Sequence, residues 1–471
     1  SQTVEIEQET SLGDVLRRKL LLTGTKISCN EGHCGACSVI IDGKLALACV
    51  TRANRVPDGA KITTIEGIGT PEKMHPIQVA FMAYGAAQCG FCTPGMIVSA
   101  KALLENNPDP TREEVRTWLT KHHNVCRCTG YKPIVDSIID AGKVMRGEMP
   151  IAELEFKMPA DGKIWGSKYP RPSAKAKVTG TLDFGQDLEL KMPANTLRLA
   201  LVQAKVPHAN ILSIDTSAAD KMPGVFKVVT HKDVKGKNRI TGLITFATNK
   251  GDGWDRPILC DEKVFQIGDA IAIVCADTEE HARAAADKVK VELEELPAYM
   301  NAMDAMAEDA IEIHPGTPNV YFEQKVVKGE DTKPIMEKAA FTAEDHYYIQ
   351  RQPHLSVETD TGFAYFDKEG RLTIHSKSIG LYLHLLMIAP GVGLPPEKIR
   401  MVQNPAGGTF GYKFSPPMEA LLGVACMATG RPVSLTYDYT QYMQYTGKRS
   451  PFFTDLKLAA DENGKLLAME S

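Results

Sequence analysis

Eight of the eleven cysteines fall between Cys29 and Cys128, in two groups of four. The first is Cys29-Asn-Glu-Gly-His-Cys34-Gly-Ala-Cys37, with Cys49 following after eleven more residues. C-x4-C-x2-C with a distant fourth cysteine is the plant-type 2Fe–2S spacing. Two irons bridged by two sulfides need four converging thiolates; a tight loop supplies three and a more distant residue the fourth. Gly32 and Gly35 suit such a loop, because glycine tolerates the curled backbone that turns amides toward sulfur. A zinc module usually presents two C-x2-C knuckles instead, so iron is the better match. The second group is Cys89-Gly-Phe-Cys92 and, after 33 residues, Cys126-Arg-Cys128. Taken by itself that pattern suits zinc as well as iron. Its place directly after a 2Fe–2S loop shifts the reading to a second cluster.

Local signals say which elements hold these loops. Ser11 with Asp14 can cap a short helix whose apolar face is Leu12, Val15 and Leu16. SVIIDGKLALAC reads as two strands joined at Asp42-Gly43, a hairpin signal. Together they suggest a small β-grasp, ferredoxin-like domain. Around the second group the pattern turns helical. Pro94 can sit in a first turn, with Ile97, Val98 and Leu104 as an apolar stripe. Thr111-Arg-Glu-Glu114 is a capping box before Val115, Trp118 and Leu119. Pro133 opens a helix with Ile134, Val135, Ile138 and Ile139 on one face. Each cysteine pair then sits where a loop meets a helix of a small bundle.

The bulk numbers bound the rest. A chain of 471 residues should divide into three or four domains. A net charge of −4 and a pI near 6.3, with no Lys/Arg block, argue against a nucleic-acid surface. No apolar run approaches the roughly 20 residues that cross a bilayer. The polar, acidic start SQTVEIEQET carries no secretory signal, so the cytoplasm is the expected compartment. A disulfide scaffold, typical of small secreted chains, is not expected.

CNEGHCGACSVIIDG, QCGFCTPGMI and CRCTGYKPI, in that order, resemble the two iron–sulfur domains of the molybdenum hydroxylases, the xanthine oxidase/aldehyde oxidoreductase family. KVTGTLDFGQDL, VPHANILSIDTSAADKMPGVFKVVTHKDV and RPILCDEKVFQIGDAIAIVCAD are similar to the start of its molybdenum-binding region. RQPHLSVET and GGTFGYKF resemble its cofactor-contacting loops, and the likeness is closest to the sulfate-reducer aldehyde oxidoreductase branch. The resemblance implies an α+β multidomain chain. A β-grasp 2Fe–2S domain over 1–66 and a helical-bundle 2Fe–2S domain over 72–146 come first. An extended linker over 147–180 leads to a mixed α/β molybdenum-cofactor-binding region over 181–471. It also implies that Cys29, Cys34, Cys37 and Cys49 bind one cluster and Cys89, Cys92, Cys126 and Cys128 the other. Gln88 and Cys128 match positions that approach the pterin, and Gly407, Gly408, Thr409, Phe410 and Gly411 match the glycine-rich loop at the molybdenum. Alone, a GGxxG run is a weak signal, more often a turn.

What the resemblance implies about activity is oxidation of an aldehyde to a carboxylic acid with water as oxygen source. Many relatives insert a flavin domain between the iron–sulfur and molybdenum parts, and the Pro- and Lys-rich 147–180 stretch has no room for one. No FAD is therefore expected, and electrons leave to an external acceptor such as a flavodoxin or ferredoxin. A molybdopterin cytosine dinucleotide and a homodimer are also implied. Purine-hydroxylating members carry a Glu where this chain has Phe414, and a Gln where it reads Ser378-Ile379. An apolar ring in place of a hydrogen-bonding carboxylate favours aldehydes, with ordinary packing of Phe414 as the alternative. The family's catalytic Glu is expected beyond residue 471, so no base is assignable, and the chain reads as part of a longer one. A purine or other heterocycle hydroxylase and a non-catalytic iron–sulfur carrier remain the other readings. Cys275 and Cys426 read as buried fillers and Cys260 is undecided. His354, His375 and His384 are expected to be structural hydrogen-bonders, and His33 to face solvent.

Overall fold

The computed structural model describes residues 2–7, 9–241, 255–320 and 323–471. The Ser11 side chain accepts from the Asp14 N–H at 3.0 Å and starts a helix at Leu12–Asp14. That helix widens into a π-turn over Val15–Lys19, where a plain helix was expected. Leu12 and Leu16 pack with Val39 and Ala48 in the small first core. The hairpin pairs Ser38–Ile41 with Lys44–Leu47, and Asp42 (φ +47°) and Gly43 (φ +80°) supply its two left-handed turn residues. A third strand, Ile62–Thr63, pairs antiparallel on the other side of the first.

Four helices follow, at Pro76–Ala83, Thr93–Asn106, Arg112–Lys121 and Lys132–Met145. Pro94 lies in the first turn of the second of these. The capping box at Thr111 forms as read: Glu114 N–H donates to Thr111 Oγ1 at 3.2 Å, and Thr111 N–H to Glu114 Oε2 at 2.7 Å. Ile77, Phe81, Ile97, Val115, Ile134 and Ile138 meet in one core, each worth about 1.5–3 kcal/mol of burial. The same core takes in Ile40 and Ile65 from before the helices, and Val178, Phe184 and Val357 from after them. The 147–180 stretch is not extended throughout. It ends in a short helix, Ala174–Val178, because Ala174 and Val178, four apart, are both buried.

The remainder is built on a mixed seven-stranded sheet. Its strand order is Ile399–Gln403, Leu372–Ser376, Thr361–Phe366, Val433–Thr436, Leu197–Gln203, Ala270–Ala276 and Val225–Thr230. Ala270–Ala276, buried along its whole length, reads as the continuous apolar run of a central strand. Helices Leu381–Val392 and Pro417–Thr429 pack with that sheet through Leu372, Ile374, Ile388 and Leu421.

The iron–sulfur part is locked to this body by Asp187. Its carboxylate, fully buried, pairs with Arg17 at 2.8 Å and Lys26 at 2.6 Å. Arg17 also donates to the Thr25 carbonyl at 2.8 Å and the Gln186 carbonyl at 3.2 Å. Burial lowers the Lys26 pKa, and Asp187 opposes that. Removing one partner strands two cations without water. Asp187→Ala should therefore cost about 3–5 kcal/mol in urea unfolding. A loss below about 1 kcal/mol, the range of exposed pairs, would show that the cations find other partners.

Candidate functional site

The loop Cys29–Cys37 curls through Asn30 (φ +57°), Gly32 (φ +80°) and Gly35 (φ +66°). Its amides turn inward: the N–H groups of Glu31 and His33 lie 3.5 and 3.3 Å from Cys29 Sγ. The four thiols lie close enough to perturb one another, Cys29 with Cys34 and Cys49, and Cys49 with Cys37. Hydrogen bonding to Cys34 moves Cys29 toward thiolate, and Cys49 does the same for Cys37. Cys34 and Cys49, as donors to Cys29, hold their protons more tightly.

The second group repeats the pattern. Here Cys128 lies with Cys89 and Cys126, and Cys126 with Cys92. The Cys128 thiol moves Cys126 toward thiolate, helped by Cys92 and by Thr129 Oγ1, which donates to Cys126 Sγ at 3.2 Å. Four thiolates this close are tolerable only around cations, so metal binding here would release protons. Among the described residues no group of three or more His, Cys, Asp or Glu side chains is set around a single ion. Cys260, Cys275 and Cys426 lie elsewhere, each buried and each pushed up by burial.

The two thiol groups are joined through backbone. Val125 N–H, one residue before Cys126, donates to the Cys34 carbonyl at 3.1 Å. A Cβ on Gly95 would meet the Gly35 carbonyl oxygen at 2.4 Å, so the first loop rests directly on the helix that follows Cys92.

The 407–411 loop stands against the second group. Gly408 (φ +100°), Phe410 (φ +48°) and Gly411 (φ +89°) are left-handed, and for a Phe that conformation is strained. A Cβ on Gly407 would lie 2.4 Å from Glu358 Cβ and 2.9 Å from Cβ of Phe91, which separates Cys89 from Cys92. Arg127, which separates Cys126 from Cys128, holds its guanidinium 5.8 Å from the Phe410 ring centroid. Gln88 is half-buried beside them, its carbonyl taking the Lys177 ammonium at 2.6 Å. The Thr409 carbonyl accepts from Tyr412 N–H at 3.1 Å. Phe414 is 58% exposed, so it is not a packed core ring. Strained, glycine-rich backbone beside paired thiol loops fits a cofactor held by main-chain groups.

Beneath that loop lies a buried charge network that motif reading missed. Glu358 accepts from Gly407 N–H at 2.5 Å, and Lys377 Nζ sits 3.5 Å from Glu358 and 3.0 Å from Asp360. Lys413 bridges Asp360 at 3.3 Å and Glu419 at 2.9 Å, and Tyr412 OH donates to Asp360 at 2.6 Å. Burial lifts Glu358 to about 7 although Lys377 opposes it, and its Oε1 has no hydrogen-bond partner among the described residues. Against the same desolvation, Lys413 and Lys377 bring Asp360 down to about 2. The available signal was charge embedded in apolar sequence, Glu358 and Asp360 in SVETD and Lys377 in IHSKSIG. His354, His375 and His384 each make a side-chain hydrogen bond. His354 pairs with Thr446 Oγ1 at 2.7 Å, and burial lowers it to about 4. His384 pairs with Ser378 Oγ at 2.7 Å, His375 with Tyr365 OH at 3.3 Å, and His33 is exposed.

Four family models match in order along the chain. Residues 1–54 match a 2Fe-2S iron-sulfur cluster binding domain and 64–139 a [2Fe-2S] binding domain. Residues 179–297 match the a/b hammerhead domain of aldehyde oxidase and xanthine dehydrogenase, and 313–471 a molybdopterin cofactor-binding domain. The small subunit of nicotine 6-hydroxylase from Paenarthrobacter nicotinovorans is 44% identical over 140 residues, 30% of this chain and 82% of its own length. The chain belongs to the molybdenum hydroxylase family. Within that family, aldehyde oxidoreductase of Megalodesulfovibrio gigas is 67% identical over 470 residues, 100% of this chain and 52% of that protein. The solved aldehyde oxidoreductase from Desulfovibrio gigas superposes with a TM-score of 0.96 at 67% identity, covering 99% of this chain and 52% of that one. The chain thus spans about half the length of these two hydroxylases. The hammerhead and cofactor-binding models also divide the expected 181–471 region in two.

Glu358 gives a pH test. Its pKa rises on folding from the ordinary 4.5 to about 7, so the folded state binds more protons in that window. The stability Glu358 contributes is fully present below about 4.5 and is lost as pH rises through about 7. Urea midpoints measured across that interval should fall less steeply for Glu358→Gln, which keeps an acceptor for Gly407. Parallel curves would mean that Glu358 does not titrate there.

Proposed function

We propose that the whole protein oxidises aldehydes to carboxylic acids with water as oxygen source, electrons leaving through two 2Fe–2S clusters to an external acceptor. The observation that carries this reading is the contact of both second-group spacers, Phe91 and Arg127, with the 407–411 loop. Cys29, Cys34, Cys37 and Cys49 bind the outer cluster; Cys89, Cys92, Cys126 and Cys128 bind the inner one. Gln88, Cys128 and Gly407–Gly411 hold the pterin end of the molybdenum cofactor. When bound, that cofactor supplies the Lewis acidity and the two-electron sink for the oxidation. Glu358 fixes the loop through Gly407 N–H, and the left-handed backbone at Phe410 and Gly411 leaves main-chain groups facing the ligand. No described residue is assigned as the base.

Phe414 walls the substrate channel, and its ring cannot hydrogen-bond a purine as the corresponding Glu does, which favours aldehydes. The high identity to a protein named aldehyde oxidoreductase supports the same choice. Hydroxylation of a purine or other heterocycle is the second reading, favoured by a relative named nicotinate dehydrogenase large molybdopterin subunit. The short interval between the helical and hammerhead matches, 139 to 179, supports electron exit without FAD. A molybdopterin cytosine dinucleotide, a homodimer, a flavodoxin or ferredoxin acceptor and a cytoplasmic location complete the proposal. Among the described residues no helix is long and apolar enough to cross a membrane.

Full-length protein from its native host should contain molybdenum and about four irons per chain, two for each cluster. It should form acid from acetaldehyde or benzaldehyde with an artificial acceptor. Iron without molybdenum would leave only an electron carrier, and faster turnover of hypoxanthine would make it a purine enzyme. Cys128→Ala should abolish turnover to acceptors that draw on the outer cluster.

A further inference from the structure

The spacer of a C-x-C motif is not a ligand, so its side chain is free for other work. Arg127 is that spacer in the second thiol group. Its guanidinium lies over the Phe410 ring, 5.8 Å from the centroid. Its Nε donates to the His354 carbonyl at 3.2 Å. Both partners belong to strained backbone, with Phe410 at φ +48° and Leu355, next to His354, at φ +52°. The two partner loops also meet each other, since a Cβ on Gly408 would stand 3.2 Å from Ser356 Cβ. Three segments remote in sequence therefore meet at one planar cation. Arg127 is itself exposed, as is Phe410, so the junction it makes lies at the surface. A lysine ammonium cannot stack and donate sideways in the same way.

We propose that Arg127 is a positioning residue, which clamps the Cys126–Cys128 loop onto the 354–356 and 407–411 loops and so fixes the gap that electrons cross. This rests on the reading of the second thiol group as a cluster and of 407–411 as the cofactor loop. The clamp also sets a fixed positive charge one residue from two ligands. That charge favours the more negative, reduced cluster and raises its potential.

The experiment uses full-length, cofactor-loaded protein as wild type, Arg127→Gln and Arg127→Lys. Each cluster is titrated by redox-poised electron paramagnetic resonance, and cluster reduction by an aldehyde is followed in a single turnover. Arg127→Gln should lower the potential of the inner cluster alone and slow its reduction about tenfold, the size of a lost stacked cation contact plus hydrogen bond. Arg127→Lys should keep the potential yet still be slowed, because it restores charge without the planar clamp. Should Arg127→Gln lose iron, Arg127→Lys carries the rate test. Wild-type potential and rate in Arg127→Gln overturn the proposal, and so does full rescue of the rate by Arg127→Lys. Absence of either cluster signal from wild type overturns the cluster reading instead.

Discussion

Four thiols set close together cannot all ionise unless cations stand among them, and that requirement shapes the first part of the molecule. Each thiol group draws its cysteines from two separate segments. The curled loop meets Cys49 across the hairpin, and Cys92 at a helix start meets Cys126 from a loop. The hairpin and the helical bundle position these segments. Neither element could be displaced without separating the sulfurs. The inward amides at Cys29 and the Thr129 hydroxyl at Cys126 lower the cost of negative charge on sulfur.

A second requirement acts at the 407–411 loop. Its strained backbone has to be held from below, and the support is ionic. Glu358, Asp360 and Glu419 alternate with Lys377 and Lys413, all nearly without solvent. Such a network is costly to bury and rigid once satisfied. It holds Gly407 through the Glu358 carboxylate, so the loop's geometry depends on charges that never reach its surface.

The parts legible in the sequence were those fixed by near neighbours. The Cys29–Cys37 loop, the Asp42-Gly43 turn and the Thr111 capping box all depend on contacts within a few residues. The 407–411 loop was singled out only by resemblance, because Gly-Gly-x-x-Gly alone is a turn. Glu358 went unread for a related reason: its partners Gly407 and Lys377 come from elsewhere in the chain, and only packing brings them together. The Ala174–Val178 helix escaped because its cause is burial against the bundle, which outweighs the extended character of the Pro- and Lys-rich run before it. The π-turn at Val15–Lys19 has no sequence mark that we can name.

The route by which the chain passes from its iron–sulfur part to its sheet carries little of the attachment between them. Trp165, midway along that route, is 98% exposed, and residues 154–173 contain no helix or strand. The attachment lies instead in groups that reach across space: Arg17 and Lys26 on Asp187, the Ser28 hydroxyl on the Val357 carbonyl, and Phe184 and Val357 inside the helical core. The covalent connection is therefore a tether rather than a joint. Opened by a protease at Trp165, the two pieces would stay together as a heterodimer. One polypeptide here holds what behaves physically as two subunits.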